Sequence, residues 1–428
     1  MARGNGKLPP DRFAGAGADV PESPGTGGPG RLCARRKPAC TILRHPRSGP
    51  PRHAYQVSTM KIPDMPPARR APLAAALLAG CMLFATTGVH AAGTDAWSAA
   101  PYSLGQGLYF PAQGLRLGGY ANLQYYDVAN EPPTLNTRDI SLFVTKDLGS
   151  RAQLFTELDA GDAVQLGGSR ANRKHGELDI ERLYVDYRAN PWLNLRLGKF
   201  LTPVGQWNQV HADPLTWTVS RPLATSSAFA RHAAGAMAFG TLTTHGHDLD
   251  YWLFADDSRD FDVGPDQDRA YAASGTDLPN RNNFRHAFGG RVLWHARGDR
   301  FTLGMSMLGY RLDAPRQSYR LVGLDFGWTG RYFSLDGEGI YREGGSAGQP
   351  AETGGFVEAE VPLVQRLYLV GRLERYRTSA PAQTVTLRTL ALNFRPVPGL
   401  VFKLEHRDGN RSTELAPAGW LASFAVLF

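Results

Sequence analysis

The segment 200–232 carries charged side chains whose types suit the binding of anions. It holds Asp213, Arg221, Arg231 and His232 within thirty-three residues for which we predict neither strand nor helix. A guanidinium group presents several N–H donors in one plane and matches the oxygens of carboxylates and phosphates. Two interpretations stay open. Arg221 and Arg231 either stabilise passing anions or pair with acidic residues elsewhere and hold the segment in place.

Two further groups of side chains have the types that bind metals, and we interpret both as solvated loops. The first is a series of carboxylates at Asp257, Asp260, Asp262, Asp266 and Asp268. Their oxygens could gather a divalent cation, but the series lacks the ligand spacing and the terminal Glu of a calcium-binding loop. The second is His245-x-His247, which has no third ligand nearby. We therefore expect no metal and no cofactor.

The sequence contains no recognisable catalytic group. Eight histidines lie beyond residue 91, but no Gly-x-Ser-x-Gly nucleophile elbow accompanies them. We predict no catalytic residue and no enzymatic activity. A lipid or ester hydrolase, with a Ser or Asp nucleophile beside a His, is the alternative from the class of enzymes.

Basic residues and cysteines are concentrated near the start of the chain. Residues 1–91 hold 13 Lys and Arg against 4 Asp and Glu, whereas residues 92–428 hold 34 against 35. The basic excess therefore belongs to the leader, and we expect no nucleic-acid partner. Cys33, Cys40 and Cys81 also lie there, which excludes a disulfide framework or thiol chemistry in the remainder.

The first 91 residues have the composition of a leader. Residues 1–59 are rich in Pro, Gly and Arg, and we predict a disordered extension upstream of a true start at Met60. Residues 60–91 combine basic residues, a long apolar run and a plausible cleavage site, which predicts a secretory signal peptide. A retained helix and a lipid anchor on Cys81 are the alternatives. Residues 92–113 are then a periplasmic N-terminal segment.

Residues 114–428 show the two-residue period of β-strands. We predict sixteen strands of about ten residues, the length at which a tilted strand crosses a bilayer. The predicted strands are 114–127, 137–148, 151–159, 178–188, 192–199, 233–241, 248–256, 285–295, 299–311, 317–326, 331–341, 352–361, 365–374, 385–394, 398–407 and 419–428.

The connections between these strands alternate in length. Every second one is short, such as 149–150 and 189–191, and the longest of the others are 160–177, 200–232 and 257–284. Tight periplasmic turns and long extracellular loops give this rhythm in an up-and-down barrel. An even number of strands also returns both ends of the barrel to the periplasm.

One face of the predicted strands is apolar and the other is polar. Leu193, Leu195 and Leu197 alternate with polar or small residues, which indicates one wall face toward lipid and one toward a water-filled interior. The strand 419–428 resembles the last strand of outer-membrane barrels, whose terminal aromatic, here Phe428, is read by the barrel-assembly machinery. We predict an all-β, transmembrane antiparallel barrel in the bacterial outer membrane, in contact with lipid and lipopolysaccharide.

Residues 197–205, followed by 220–223, resemble the phosphate-selective porin family. The residues at the family's motif positions are Lys199, Phe200, Pro203 and Gly205. In that family the long third loop folds into the barrel and narrows the pore, and here that loop is 200–232. The resemblance implies a porin, often a homotrimer. In such a porin, the constriction would contain four charged residues of this loop: Arg221, Arg231, His232 and Asp213.

The predicted inner face carries charges of both signs. It includes Arg116, Arg196, Arg372, Lys403, Glu358, Glu360 and Glu405. Rings of one sign set the ion preference of channels, so this mixture argues against selective uptake of phosphate. We expect passive diffusion of small hydrophilic or anionic solutes, inorganic anions among them. A structural or adhesive barrel is a further alternative.

Overall fold

The computed structural model describes residues 101–428, apart from 168–176, 211, 227, 245, 258–283, 297–299, 313–315, 346–347, 380–381 and 411–415. The predicted disordered extension and signal peptide, with Cys81, lie outside the described residues. The same holds for His245 and for all of the carboxylate series except Asp257.

Nineteen strands and four short helical turns make up the described chain. The strands are β1 (Tyr102–Ser103), β2 (Gly107–Phe110), β3 (Leu115–Val128), β4 (Thr134–Leu148), β5 (Ala152–Gly161), β6 (Gln165–Gly167), β7 (Glu177–Asn190), β8 (Leu193–Leu201), β9 (His232–Thr244), β10 (His247–Asp256), β11 (Phe284–Ala296), β12 (Phe301–Leu312), β13 (Ser318–Thr329), β14 (Ser334–Gly344), β15 (Glu352–Val364), β16 (Leu367–Arg377), β17 (Thr384–Val397), β18 (Leu400–Gly409) and β19 (Gly419–Leu427). The turns are 3₁₀ at Pro111–Gln113, Trp207–Gln209 and Asp213–Leu215, and α1 at Leu223–Ser226.

Sixteen of these strands, β3–β5 and β7–β19, form a closed antiparallel wall. Each pairs with the next along the chain, and β19 returns to pair with β3, where Leu427 faces Tyr120. The backbone N–H and C=O of Phe428 continue this seam by bonding Gly119 at 2.9 and 2.8 Å. The predicted all-β barrel of sixteen strands is confirmed.

All sixteen predicted strands are present, and their bounds differ from the predicted ones by at most three residues. β4 begins at Thr134 because its pairing with β3 shifts between Asn122 and Leu123, and such a bulge hides the two-residue period. β14 begins at Ser334, because Gly330 N–H donates to Phe333 C=O and closes a turn there.

The faces of the wall separate apolar from polar side chains. Outward residues such as Leu197, Phe288 and Leu373 are exposed, and the intervening residues are buried on the inner face. A closed wall satisfies every backbone hydrogen bond internally and can therefore span a lipid bilayer through such a surface. The protein belongs in the bacterial outer membrane. Among the described residues, none of the helices is long and apolar enough to cross a membrane.

Candidate functional site

The longest described connection joins β8 to β9 and comprises residues 202–231, hereafter the connecting segment. It leaves β8 after Leu201 and turns at Gly205, whose φ is +63°. Only glycine adopts this left-handed region without strain. A Cβ on Gly205 would also lie 2.2 Å from Glu338 Oε2. The glycine therefore lets the segment approach the wall at β14.

Three wall carboxylates accept backbone N–H groups of the connecting segment. Glu338 Oε1 accepts from Gln206 at 2.6 Å and from Trp207 at 2.5 Å. Glu405 Oε2 accepts from Val219 and Ser220 at 2.7 and 2.9 Å, and Glu374 Oε2 accepts from Leu223 at 2.5 Å. The strands β14, β16 and β18 supply these carboxylates, and hydrogen bonds to an ionised acceptor are among the strong ones.

Basic side chains of β16 and β18 donate hydrogen bonds to oxygens of the connecting segment. Arg372 donates to Thr218 Oγ1 at 2.7 Å and to the backbone carbonyl and Oγ of Ser220 at 2.9 and 2.5 Å. Lys403 Nζ donates to the carbonyl of Asp213 and to Thr216 Oγ1, both at 2.7 Å. Together, Glu338, Arg372, Glu374, Lys403 and Glu405 form what we call the holding sector.

Charged residues predicted at the constriction make contacts with the wall. Arg231 and His232 both face Glu181, at 3.4 and 3.2 Å. Asp213 lies 3.2 Å from Lys403 Nζ, and its other carboxylate oxygen accepts from Ser423 Oγ at 2.5 Å. These contacts agree with the interpretation in which the residues fix the segment. Arg221 is half-buried, and its role stays a prediction.

Aromatic side chains of the segment pack against aromatic residues of the wall. Trp217 lies 5.0 Å from the ring of Tyr368, and Trp207 meets Phe356 edge to face at 6.5 Å. Phe229 is buried in the largest apolar cluster of the described chain. Aromatic pairs add roughly 0.5–1.5 kcal/mol each beyond the area they bury, so the segment is attached by apolar as well as polar contacts.

The inner face of β5, β7 and β8 carries ion pairs formed within the wall. Arg182 Nε donates to Glu157 at 2.5 Å, and Arg196 Nε donates to Asp186 at 2.7 Å. In each pair the arginine is the more exposed partner, with 17% against 0% and 15% against 6% of the side chain accessible. We call these four residues the paired sector.

The remaining predicted site residues occupy different surroundings. Arg116 donates to Gln106 at 2.7 Å, near the first strands. Lys199 Nζ donates to the carbonyl of Ile180 at 2.9 Å, whereas Phe200 and Pro203 are buried. Glu358 and Glu360 lie together on β15, and Glu358 accepts from Arg372 at 3.2 Å.

Sequence reasoning missed several residues that touch the connecting segment. Asn393 donates to the carbonyl of Trp217 at 2.8 Å, and Arg395 donates to the carbonyls of Pro214 and Thr216. The alternation of side chains along β17 places Asn393 and Arg395 on the inner face. It does not indicate their partners, which lie some 180 positions earlier in the chain.

Comparison with known sequences does not assign the chain to a family. No protein-family model matches the chain. An uncharacterized protein of Aquifex aeolicus (strain VF5) is 30% identical over 117 residues, which are 27% of this chain and 26% of that protein. The chain thus matches about a quarter of that relative's length, so the predicted phosphate-selective family is not confirmed.

Comparison with solved structures finds proteins of similar fold at low sequence identity. OmpT of Vibrio cholerae, an outer membrane protein, has a TM-score of 0.51 as its loop L8 deletion mutant, with 9% identity. Its in-vitro folded trimer form has a TM-score of 0.50 and 8% identity. Each match covers 73% of this chain and 99% of the OmpT chain. The fold is that of an outer-membrane barrel.

Proposed function

We propose that this protein is a porin, a passive diffusion channel for small hydrophilic or anionic solutes, with the connecting segment folded into the lumen as its constriction. The observation that carries the proposal is the set of bonds between that segment and the holding sector. The proposal requires no cofactor and no catalytic residue, since diffusion needs only a gradient.

The positions of the strands support an inward path for the segment. It begins at the end of β8, and β16, which supplies Arg372 and Glu374, is eight strands further around a wall of sixteen. Its partners there are buried residues of the inner face. A segment anchored at both ends beside β8 and β9 reaches them by the shortest route through the lumen. A barrel of this size leaves an aqueous interior that side chains alone do not fill.

The accessibility of the inner charges supports a preference for anions. The carboxylates of Glu358, Glu374 and Glu405 are buried and are engaged by the segment or by Arg372. Arg182 and Arg196 remain more accessible than the acids they pair with. Solutes passing along the paired sector would meet guanidinium groups, which attract anions.

A planar-bilayer recording of refolded residues 92–428 in a KCl gradient tests the proposal. Discrete conductance steps with a reversal potential of the anion-selective sign are expected. A variant in which residues 206–229 are replaced by a short Gly-Ser linker should conduct more per channel, because the constriction is gone. Folded protein that stays silent in both forms would contradict a channel. A linker variant with unchanged conductance would contradict the constriction.

We extend the proposal to a homotrimer, the form in which one of the OmpT structures was solved. Chemical cross-linking of the folded protein in detergent should give a band of three times the monomer mass. A monomer alone, at concentrations where the barrel is folded, would contradict this assembly without affecting the proposed conduction.

A further inference from the structure

Three carboxylates lie close together on the inner face of β14 and β15, beside the holding sector. Unlike the glutamates of that sector, they accept no backbone N–H of the connecting segment among the described residues. Asp336, Glu358 and Glu360 are all buried, and one oxygen from each lies within 4.8 Å of the other two. Strand register causes this meeting. Asp336 is directly opposite Glu358, and Glu360 follows two positions later on the same face.

Glu360 lacks the partners that a buried carboxylate ordinarily has. Its side chain belongs to a residue only 3% exposed, and within the described part of the chain neither Oε1 nor Oε2 accepts a hydrogen bond from a basic, amide or hydroxyl side chain. Its polar side-chain contact is with the carboxyl group of Asp336. Glu358 Oε1 is without a hydrogen bond among the described residues. Burying an ionised carboxylate without compensation is costly, so these oxygens require either a cation or a shared proton.

With all three carboxylates ionised, as cation binding requires, two negative charges of the cluster lack a basic partner. Arg372 lies 3.2 Å from Glu358 and balances one of the three carboxylates. No salt bridge of Asp336 or Glu360 with a basic side chain occurs among the described residues. The excess of two therefore equals the charge of one divalent cation.

We infer that Asp336, Glu358 and Glu360 form a binding site for a divalent cation with oxygen ligands, Ca²⁺ being the probe of choice. Oxygens bound to one Ca²⁺ at about 2.3–2.6 Å lie at most about 4.6–5.2 Å apart, and the observed separations satisfy that limit. Carboxylate is the ligand that hard cations prefer. The ion would join β14 to β15 next to Glu338, which follows Asp336 by two positions on β14, and would neutralise the negative charge of this cluster.

The test is calcium titration of the whole folded protein, refolded without lipopolysaccharide and freed of metal with a chelator. Isothermal titration should show one site, and Ca²⁺ should raise the unfolding temperature. The variant Glu360→Gln should lower the affinity by about tenfold or more, since even the residues supporting metal ligands commonly contribute that much. Asp336→Asn should behave alike.

Glu343→Gln is the matched control, because Glu343 lies on β14 with an exposed side chain. It should retain the affinity of the unaltered protein. Absence of calcium binding at millimolar concentration by the unaltered protein would overturn the inference and favour a proton shared between the carboxyl groups. Retained binding in Glu360→Gln would overturn it as well. Neither result depends on whether the barrel conducts.

Discussion

The holding sector and the paired sector use the same residue types for different purposes. In the holding sector, Glu405 and Arg372 are bonded to the connecting segment. In the paired sector, Glu157 and Arg182 are bonded to each other. An inward position therefore does not by itself make a charged residue part of a pore lining. What it bonds determines whether its charge remains available to a solute.

This difference changes how the mixture of positive and negative charges on the inner face is interpreted. Counting inner charges by sign predicts weak selectivity, but the count treats Glu374 and Arg182 as equivalent. Glu374 is buried and accepts a backbone N–H of the segment, whereas Arg182 keeps part of its side chain accessible. In the proposed channel, the charge that a solute would meet is consequently more positive than the inner charges of the sequence suggest.

The largest expected effect comes from breaking the holding sector at its most connected residue. Arg372→Ala leaves Glu358 without its cation and removes the bonds to Ser220. Removing one partner of a buried ion pair typically costs about 3–5 kcal/mol. Urea unfolding of the barrel in lipid vesicles should show a loss of this size.

Arg375→Ala serves as the control for that measurement. Arg375 lies on the same strand with its side chain exposed, and surface substitutions usually change stability by about 0.5 kcal/mol or less. Equal losses in the two variants would contradict a specific role of Arg372 in holding the segment.

A smaller effect is expected from removing one acceptor. Glu405→Leu leaves the N–H groups of Val219 and Ser220 without the carboxylate that now accepts both, and an unsatisfied buried donor costs about 1–3 kcal/mol. Hydrogen–deuterium exchange of the peptide around these residues should accelerate. Glu405→Gln keeps one carbonyl oxygen and should restore most of the protection; exchange as fast as in Glu405→Leu would argue against this hydrogen bond.

The third comparison concerns two glycines with positive φ. Gly205→Ala and Gly149→Ala should each lose about 1–2 kcal/mol from the left-handed backbone, since φ is +63° and +80°. Only Gly205 faces Glu338, whereas a Cβ at Gly149 would meet nothing within 4 Å. Gly205→Ala alone should therefore make the single-channel current noisier. Similar noise in both variants would exclude a contribution from the contact with Glu338.

The smallest effect is expected in the paired sector. The double variant Arg182→Gln, Glu157→Gln keeps the net charge but removes the accessible cation. The anion-to-cation permeability ratio should fall about twofold, equivalent to about 0.4 kcal/mol, while stability changes little because both partners become neutral. Reversal potentials in a KCl gradient measure this ratio. An unchanged ratio would mean that solutes do not pass along this sector.

The barrel could be predicted from the sequence because its signals are local. The two-residue period of Leu193, Leu195 and Leu197 depends only on neighbours, and all sixteen strands follow from such patterns. The site could be predicted only in part. Arg231 and Asp213 were recognisable as charged residues of a long loop, but their partners Glu181 and Lys403 follow from the path of the segment.

The seam between β3 and β19 has a consequence for the kinetics of assembly. Its paired residues Tyr120 and Leu427 lie about 300 positions apart, and contacts of such separation form slowly because loop-closure entropy opposes them. Until β19 arrives, β3 presents an unpaired strand edge from Tyr120 onward, which other chains can extend into aggregates. Folding yield should therefore depend on protecting that edge during synthesis and export, and far less on any of the hairpins in between.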